Sequence, residues 1–155
     1  MSQHKATIDW NRGSGDFSKG RYSREHKWLF DGGLSVAASS SPAVVPVPWS
    51  NIAAIDPEEA FVASLASCHM LTFLHVARLG GFDVESYVDE AVGHTTPNEK
   101  RIPWVATVVL NPKIVYGGDK RPTPEEEARL HHLAHEQCFI AQSVKTAVKV
   151  AGIEG

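Results

Sequence analysis

The segment from Asp56 to Gly81 constrains the fold most, because it contains a complete signature for one long helix. Asp56 can cap the first turn, Pro57 suits the first helical position, and Glu59 completes a capping box. The paired glycines Gly80-Gly81 are a helix stop. Residues between these signals recur at i, i+4 and i+7 on one helical face, at Phe61, Leu65 and Cys68. The sequence therefore predicts a long helix from residue 57 to the paired glycines.

A second helix start occurs at Thr123-Pro124-Glu125-Glu126, followed by a helical stripe of Leu130, Ala134 and Cys138. Strand patterns occupy most of the remaining chain, at residues 6–10, 22–30, 34–38, 84–92, 102–110, 114–116 and 144–150. A hairpin turn is predicted at 31–33, turn material at 11–20, and a long apolar loop at 39–55. The order of strands, long helix, strands, helix and strand predicts an α+β fold.

Composition narrows the class of protein. The 155 residues are 43% apolar and 21% charged, which predicts a single globular domain over 1–155. A net charge of −3 gives no footprint for nucleic acid. No run of 18 uninterrupted apolar residues is present, so no membrane span is expected. The first residues lack an apolar signal core, which favours a cytoplasmic protein whose thiols are kept reduced.

Cys68 and Cys138 are the only cysteines, and each falls on a predicted helical stripe. Either one alone is as well explained as a small buried core residue. If both helices face one core, however, the two thiols can meet. An ordinary thiol with a pKa of about 8.5 is only a few per cent ionised at pH 7. Cys68 lies too deep in its helix for help from the helix dipole, so a nucleophile there needs a cation such as Arg21 or Arg24.

A metal site is an alternative interpretation of the same segment. His131, His135 and Cys138 are spaced i, i+4 and i+7, and Cys68 would complete a Cys2His2 zinc site. Chance spacings are common in a chain with eight histidines. His69 and His75 are expected on a polar or half-buried face and receive no role. A third alternative is a non-catalytic protein that holds an apolar ligand in the 39–55 loop and has inert thiols.

The Asp-Pro-Glu-Glu helix start, Cys68 ten residues after Glu58, and the Ala-His-Glu-Gln-Cys138 ending together resemble the OsmC/Ohr family. These are osmotically inducible and organic hydroperoxide resistance proteins. The stretch from Arg24 to Gly33, Arg-Glu-His-Lys-Trp-Leu-Phe-Asp-Gly-Gly, is similar to an OsmC-like branch. The resemblance implies an antioxidant stress-response enzyme, an intertwined homodimer that reduces organic hydroperoxides without metal, haem or other cofactor.

The resemblance also implies residue roles. Cys68 would be the peroxidatic cysteine, Cys138 the resolving cysteine, and Glu58 the carboxylate that orients an arginine. Arg24 is the favoured arginine and Arg21 the second choice. The loop at 39–55 contains no arginine, and Cys138 is followed by Phe-Ile-Ala instead of the Pro-Tyr-Ser typical of the Ohr branch. This departure weakens the transfer of an Ohr-type substrate preference to this chain.

Helix geometry bears on how these residues would meet. Ten residues at about 1.5 Å rise place Glu58 roughly 15 Å from Cys68 along one axis. Either the chain bends between them, or Glu58 and its arginine serve the cysteine of a partner subunit. The resemblance implies an external dithiol as reductant, either a lipoyl-bearing protein or a small thiol. Apolar residues of the long loop, including Trp49, would favour organic peroxides or simply cover the core.

Overall fold

The structure, a computed structural model, describes residues 2–153 and confirms the α+β class. Within that range it contains two α-helices, α1 (Pro57–Leu79) and α2 (Pro124–Gln137), together with two short 3₁₀ helices. Ten strands complete the fold: β1 Ala6–Asp9, β2 Gly15–Asp16, β3 Arg21–Tyr22, β4 His26–Phe30, β5 Ser35–Ala38, β6 Asp83–Asp89, β7 Val92–Pro97, β8 Pro103–Leu110, β9 Pro112–Gly117 and β10 Ala147–Val150.

The chain divides into two compact units, Met1–Ala60 and Phe61–Gly155, and each is described by itself. The prediction of one domain over 1–155 stays a prediction. In the first unit β4 is the central strand of an antiparallel sheet with the order β1-β4-β5. The turn between β4 and β5 confirms the predicted hairpin. Val44, Val47 and Ile52 in the long loop are 69%, 62% and 81% exposed.

The prediction of one strand over residues 22–30 was wrong. β3 ends at Tyr22 and pairs with β2, whereas β4 begins at His26 and pairs with β1 and β5. Between them, Arg24 donates its backbone N–H to the Trp49 carbonyl at 2.9 Å, a partner outside both sheets. The predicted turn region 11–20 correspondingly contains β2 and a 3₁₀ helix.

Helix α1 begins where its capping signature predicted. The Asp56 carboxylate accepts from the Glu59 N–H at 2.8 Å, and the Glu59 carboxylate accepts from the Asp56 N–H at 3.1 Å. This reciprocal pair satisfies two backbone donors that a helix start would otherwise leave without partners. The helix ends at Leu79, and Gly81 follows at a positive φ of 76°, where an L side chain would be strained. Both ends of the long helix are therefore set locally.

The second unit contains two sheets. One has the order β10-β8-β7, in which β10 runs parallel to β8, and the other pairs β6 with β9. The predicted strand at 84–92 was wrong in its bounds, because the chain leaves β6 after Asp89 and enters the other sheet at Val92. The strand predicted at 144–150 begins only at Ala147, after a 3₁₀ turn.

Apolar packing in the second unit is arranged in two clusters. The first packs the C-terminal half of α1 against α2, through Phe73, Val76, Ala77, Phe82, Leu130 and Ala134. The second packs Leu65 of α1 onto Val108 and Leu110 of β8. Cys68 lies between these two groups along α1, so both cores fix the helix that carries it.

Helix α1 is also unusually apolar for its degree of burial. By length and composition alone it could cross a membrane, a test that the core helix of a soluble protein also passes. Only 28% of its most apolar 18-residue window is buried. Leu71 and Leu79 are 61% and 65% exposed. An exposed apolar surface of this kind is typical of a protein interface.

Gly93 in β7 is a position where the packing of α1 can be tested. A Cβ atom there would lie 2.6 Å from Cγ2 of Val62 and 3.3 Å from Cγ1 of Val105. We expect Gly93→Ala to lower the free energy of unfolding by about 1–3 kcal/mol, as overpacking does. Urea denaturation measures this change. Gly32→Ala is the control, since no atom lies within 4 Å of its Cβ position; equal denaturation midpoints for both variants would contradict the packing described.

Candidate thiol site

Cys68 presents a half-buried thiol to a cavity of about 750 Å³ in the second unit. One face of α1 forms a wall of this cavity, with Ser64, Ser67, Leu71, Thr72 and His75. These positions follow helical spacing on both sides of Cys68. The far side is formed at the end of α2 and beyond it, where Phe139 is 83% exposed. A small molecule entering this cavity would therefore reach the Cys68 sulfur.

Cys138 is the first residue after α2, which ends at Gln137. The prediction that it lies on the helical stripe was therefore wrong by one residue. It is the C-cap residue, with extended backbone angles (φ −73°, ψ 111°). Its N–H bonds to the His135 carbonyl at 3.4 Å, a tightened last turn in place of another α-helical step. The chain then turns, and the Ala141 N–H donates to the Cys138 sulfur at 3.4 Å.

The structure brings the two thiols together and makes them unequal. Cys138 is 1% exposed, whereas Cys68 is half-buried, and both are free thiols. Burial, followed by hydrogen bonding to the Cys68 thiol, raises the pKa of Cys138 to about 11. Cys138 therefore stays protonated at neutral pH. The arrangement pairs one accessible sulfur with one sheltered thiol that can reach it.

Arg24 and Glu58, the other two predicted site residues, line one pocket of about 380 Å³ in the first unit. Arg24 is held by carbonyls: Nη1 donates to Gly20 O at 2.9 Å and to Tyr22 O at 2.6 Å. Its guanidinium also lies 3.7 Å from the centroid of the Tyr22 ring. Glu58 is exposed in the first turn of α1.

No ion pair joins Arg24 to Glu58 among residues 2–153, where ion pairs occur at Lys19–Asp16 and Lys113–Glu90. Arg21, the second choice, has an exposed side chain and is not among the described residues that line this pocket. The pocket also has an aromatic wall that the sequence interpretation missed. Trp10, Phe17 and Tyr22 pack with ring centroids 4.6–6.2 Å apart.

The predicted place of His69 on a polar or half-buried face was wrong. His69 is 1% exposed, and its Nε2 lies 3.0 Å from Nδ1 of His131, which is 2% exposed. The rings are nearly parallel, at 6°, and Phe73 packs against His131 with centroids 4.4 Å apart. Burial lowers the pKa of each imidazole to about 4, with nearby histidines contributing less. A hydrogen-bonded pair of neutral histidines thus joins α1 to α2.

The predicted zinc ligands do not converge. Within residues 2–153, no group of three or more His, Cys, Asp or Glu side chains is placed to hold a metal ion. His131 instead directs Nδ1 at His69, and the Cys138 thiol lies beside that of Cys68. The spacing i, i+4 and i+7 required a straight helix through residue 138, and α2 ends one residue earlier.

Comparisons with known proteins agree with this architecture. The family model of OsmC-like proteins matches residues 50–151. The solved structure of an OsmC-like protein of unknown function from Vibrio cholerae is 52% identical, with a TM-score of 0.93 over 97% of this chain and 98% of that one. No curated protein matched.

Two more distant structures share the fold. An organic hydroperoxide resistance protein from Legionella pneumophila is 17% identical, with a TM-score of 0.71, 97% of this chain and 96% of that one being covered. An organic hydroperoxide resistance protein of Bacillus subtilis is 19% identical, with a TM-score of 0.63 and 96% of each chain covered. At these identities the likeness concerns the fold alone.

Proposed function

Because the chain belongs to the OsmC-like protein family, we propose that it is a thiol-dependent peroxidase that reduces organic hydroperoxides to alcohols. One observation carries the proposal: an accessible Cys68 thiol opens on a cavity and lies beside a second, buried thiol. A peroxidase of this kind needs an accessible sulfur to attack and a sheltered sulfur to capture the product. Relatives named for organic hydroperoxide resistance support the substrate class.

The proposed turnover has three balanced steps. The Cys68 thiolate attacks the distal oxygen of R–O–OH, the O–O bond breaks, and the alkoxide takes up a proton to leave as ROH. The sulfenic acid on Cys68 then condenses with the Cys138 thiol, forming the disulfide and releasing water. An external dithiol on a lipoyl-bearing protein, or two molecules of a small thiol, returns both cysteines to thiols and is itself oxidised to a disulfide.

The roles of the two cysteines follow from their surroundings. Cys138 is buried and protonated at neutral pH, so it is poorly suited to meet peroxide from solution. Its proton is instead available when the hydroxide of the sulfenic acid departs as water. Cys68 is the sulfur that the cavity exposes, and we assign it the attack.

Arg24 and Glu58 are proposed to activate the Cys68 thiol of a partner subunit. They share a pocket in the first unit, and the ten-residue spacing on α1 separates Glu58 from Cys68 by roughly 15 Å along the helix axis. In a homodimer, Arg24 and Glu58 of one subunit could instead lie beside Cys68 of the other, so that each subunit completes the other's site. The exposed apolar residues of α1, among them Leu71 and Leu79, support the proposed homodimer.

Mixed dimers test whether the site is shared. We expect Arg24→Met and Glu58→Gln to lower kcat/KM for cumene hydroperoxide by on the order of a hundredfold, as loss of an oriented charge does. Arg21→Met, which removes an exposed charge nearby, is the control and should retain activity. Co-expression of Arg24→Met with Cys68→Ser should restore activity, since each mixed dimer would hold one complete site. No restoration, or an active monomer made by interface mutation, would contradict the shared site.

Mass spectrometry after substoichiometric tert-butyl hydroperoxide tests the function itself. The wild type should yield an intramolecular Cys68–Cys138 disulfide. Cys138→Ser should instead retain a sulfenic acid on Cys68, trapped with dimedone, because the capturing thiol is gone. Unmodified thiols in both proteins would rule out the peroxidase and leave an apolar-ligand-binding protein with inert thiols as the better proposal.

A further inference from the structure

The buried histidine pair joins α1, which carries Cys68, to α2, which ends just before Cys138, but it has no part in the turnover described above. His69 directly follows Cys68 on α1, and His131 precedes Cys138 by seven residues on α2. Seven residues are about two helical turns, so the face of α2 that meets His69 also leads to the position of Cys138. The pair therefore fixes the two elements from which the thiols project.

The hydrogen bond of this pair is directional, whereas its surroundings are apolar. Phe73, which packs against His131, belongs to the first core cluster together with Leu130 and Ala134. Apolar contacts are non-directional and tolerate a small rotation or sliding of one helix on another. The bond between Nε2 of His69 and Nδ1 of His131, at 3.0 Å, weakens steeply when its angle changes. Cys68 and His69 are consecutive residues of the same helix, about 100° apart around its axis. A rotation of α1 that moves His69 therefore moves Cys68 by the same angle.

The histidine pair adds little to the free energy of unfolding. Nδ1 of His69 is buried without a hydrogen-bond partner among the described residues. If the shared proton lay on His131, that orphaned nitrogen would carry a buried N–H; with the proton on His69 Nε2, it carries only a lone pair. We therefore assign Nε2–H of His69 as donor and Nδ1 of His131 as acceptor. Buried polar pairs of this kind stabilise little compared with apolar replacements of the same shape.

We propose that the His69–His131 hydrogen bond is a positioning device that holds α1 and α2 in the rotation at which the Cys68 and Cys138 sulfurs meet. It acts through the two cysteines and contacts no substrate. By fixing their approach, it speeds the capture of the sulfenic acid and limits oxidation of Cys68 to sulfinic acid by a second peroxide. This role rests on the proposed peroxidase function, but the geometry it sets can be measured without peroxide.

The test compares two variants of one residue that have nearly the same shape. His131→Asn keeps an acceptor at the place of Nδ1, whereas His131→Leu removes it. In glutathione redox buffers, we expect the Cys68–Cys138 disulfide of His131→Leu to form with an equilibrium constant lowered by about tenfold or more, as misplaced reacting groups do. His131→Asn should remain close to the wild type. Equal constants for the two variants would overturn the proposal.

The double variant His69→Leu/His131→Leu separates positioning from stability. Removing both polar partners should leave the free energy of unfolding unchanged or raised, while the disulfide constant still falls. Tyr87→Phe is the matched control. It also removes a buried polar group, the Tyr87 hydroxyl, which has no hydrogen-bond partner among the described residues, and the Tyr87 ring packs against Phe73. It leaves the hydrogen bond between the helices in place. A double variant with the wild-type disulfide constant would also overturn the proposal.

Peroxide then distinguishes this inference from the function on which it rests. With limiting cumene hydroperoxide, His131→Leu should give a higher ratio of Cys68 sulfinic acid to disulfide than His131→Asn. If the wild type does not react with peroxide but the glutathione constants differ as expected, the peroxidase proposal fails and the positioning role stands. If the wild type reacts and both variants give its ratio, the positioning role fails alone.

Discussion

Cys68→Ser is expected to abolish hydroperoxide reduction, with kcat/KM falling on the order of a thousandfold or more, as loss of a nucleophile does. A serine hydroxyl can neither ionise near neutral pH nor accept an oxygen atom as sulfur does. The remaining thiol cannot substitute for it, because Cys138 is buried and its pKa is raised to about 11. Loss of cumene hydroperoxide, followed in the presence of dihydrolipoamide, measures the effect.

Two companion variants make this result specific. Ser67→Ala changes the neighbouring residue on the same cavity wall and should keep most of the activity. Cys138→Ser should reduce one equivalent of peroxide and then depend on an external thiol to release the sulfenic acid. Peroxide reduction by Cys68→Ser at the wild-type rate would show that the accessible sulfur is not the reacting group.

Acid is expected to destabilise the fold through the histidine pair. The pKa of His69 and of His131 is lowered to about 4 in the folded chain, against about 6.5 when unfolded. Below pH 6.5 the histidines of the unfolded chain therefore bind protons, whereas those of the folded chain stay neutral. The free energy of unfolding consequently falls as the pH decreases. The stability that the neutral histidines contribute is fully present above pH 6.5, and it is lost progressively as the pH falls from 6.5 to about 4. One such histidine corresponds to roughly 3 kcal/mol over that window.

Urea denaturation at a series of pH values measures this loss. His69→Leu/His131→Leu is the reference, because it carries every other titrating group and lacks the pair. The difference in free energy of unfolding between wild type and double variant should change between pH 6.5 and 4 and be constant above pH 7. Parallel curves over the whole range would show that the imidazoles take up protons inside the fold.

The parts of the fold that were predictable from the sequence are those whose information is local. The capping box at Asp56 and Glu59 and the glycine pair after Leu79 set the ends of α1, and each acts within a few residues. The alternation in β10 is local as well. Val148 and Val150 are half-buried, whereas Ala147 and Lys149 are exposed.

The errors arose where distant partners decide the structure. Residues 22–30 have strand character throughout, but the chain changes sheets between Tyr22 and His26, because each part pairs with a different strand. Cys138 fits the helical stripe by spacing, yet the turn that follows ends α2 at Gln137. Neither pairing partners nor the direction of a departing chain can be deduced from periodicity.

The candidate site was only partly accessible to sequence reasoning. The resemblance indicated Cys68 and Cys138, and the structure places these thiols beside each other. It gave no indication of the His69–His131 pair, whose members are separated by 62 residues. A histidine on an apolar helical stripe could have been the signal, because burial of an imidazole normally requires a partner. The roles assigned to Arg24 and Glu58 stay predictions.

The parallel pairing of β10 with β8 has a consequence for how the chain folds during synthesis. The apolar strand β8 leaves the ribosome well before β10, which follows only after β9 and α2 have been made. Until then one edge of β8 has no neighbour, and an unpaired apolar edge is a template for aggregation. Slow translation between these strands would prolong that exposure, so this protein is expected to need chaperone protection late in its synthesis.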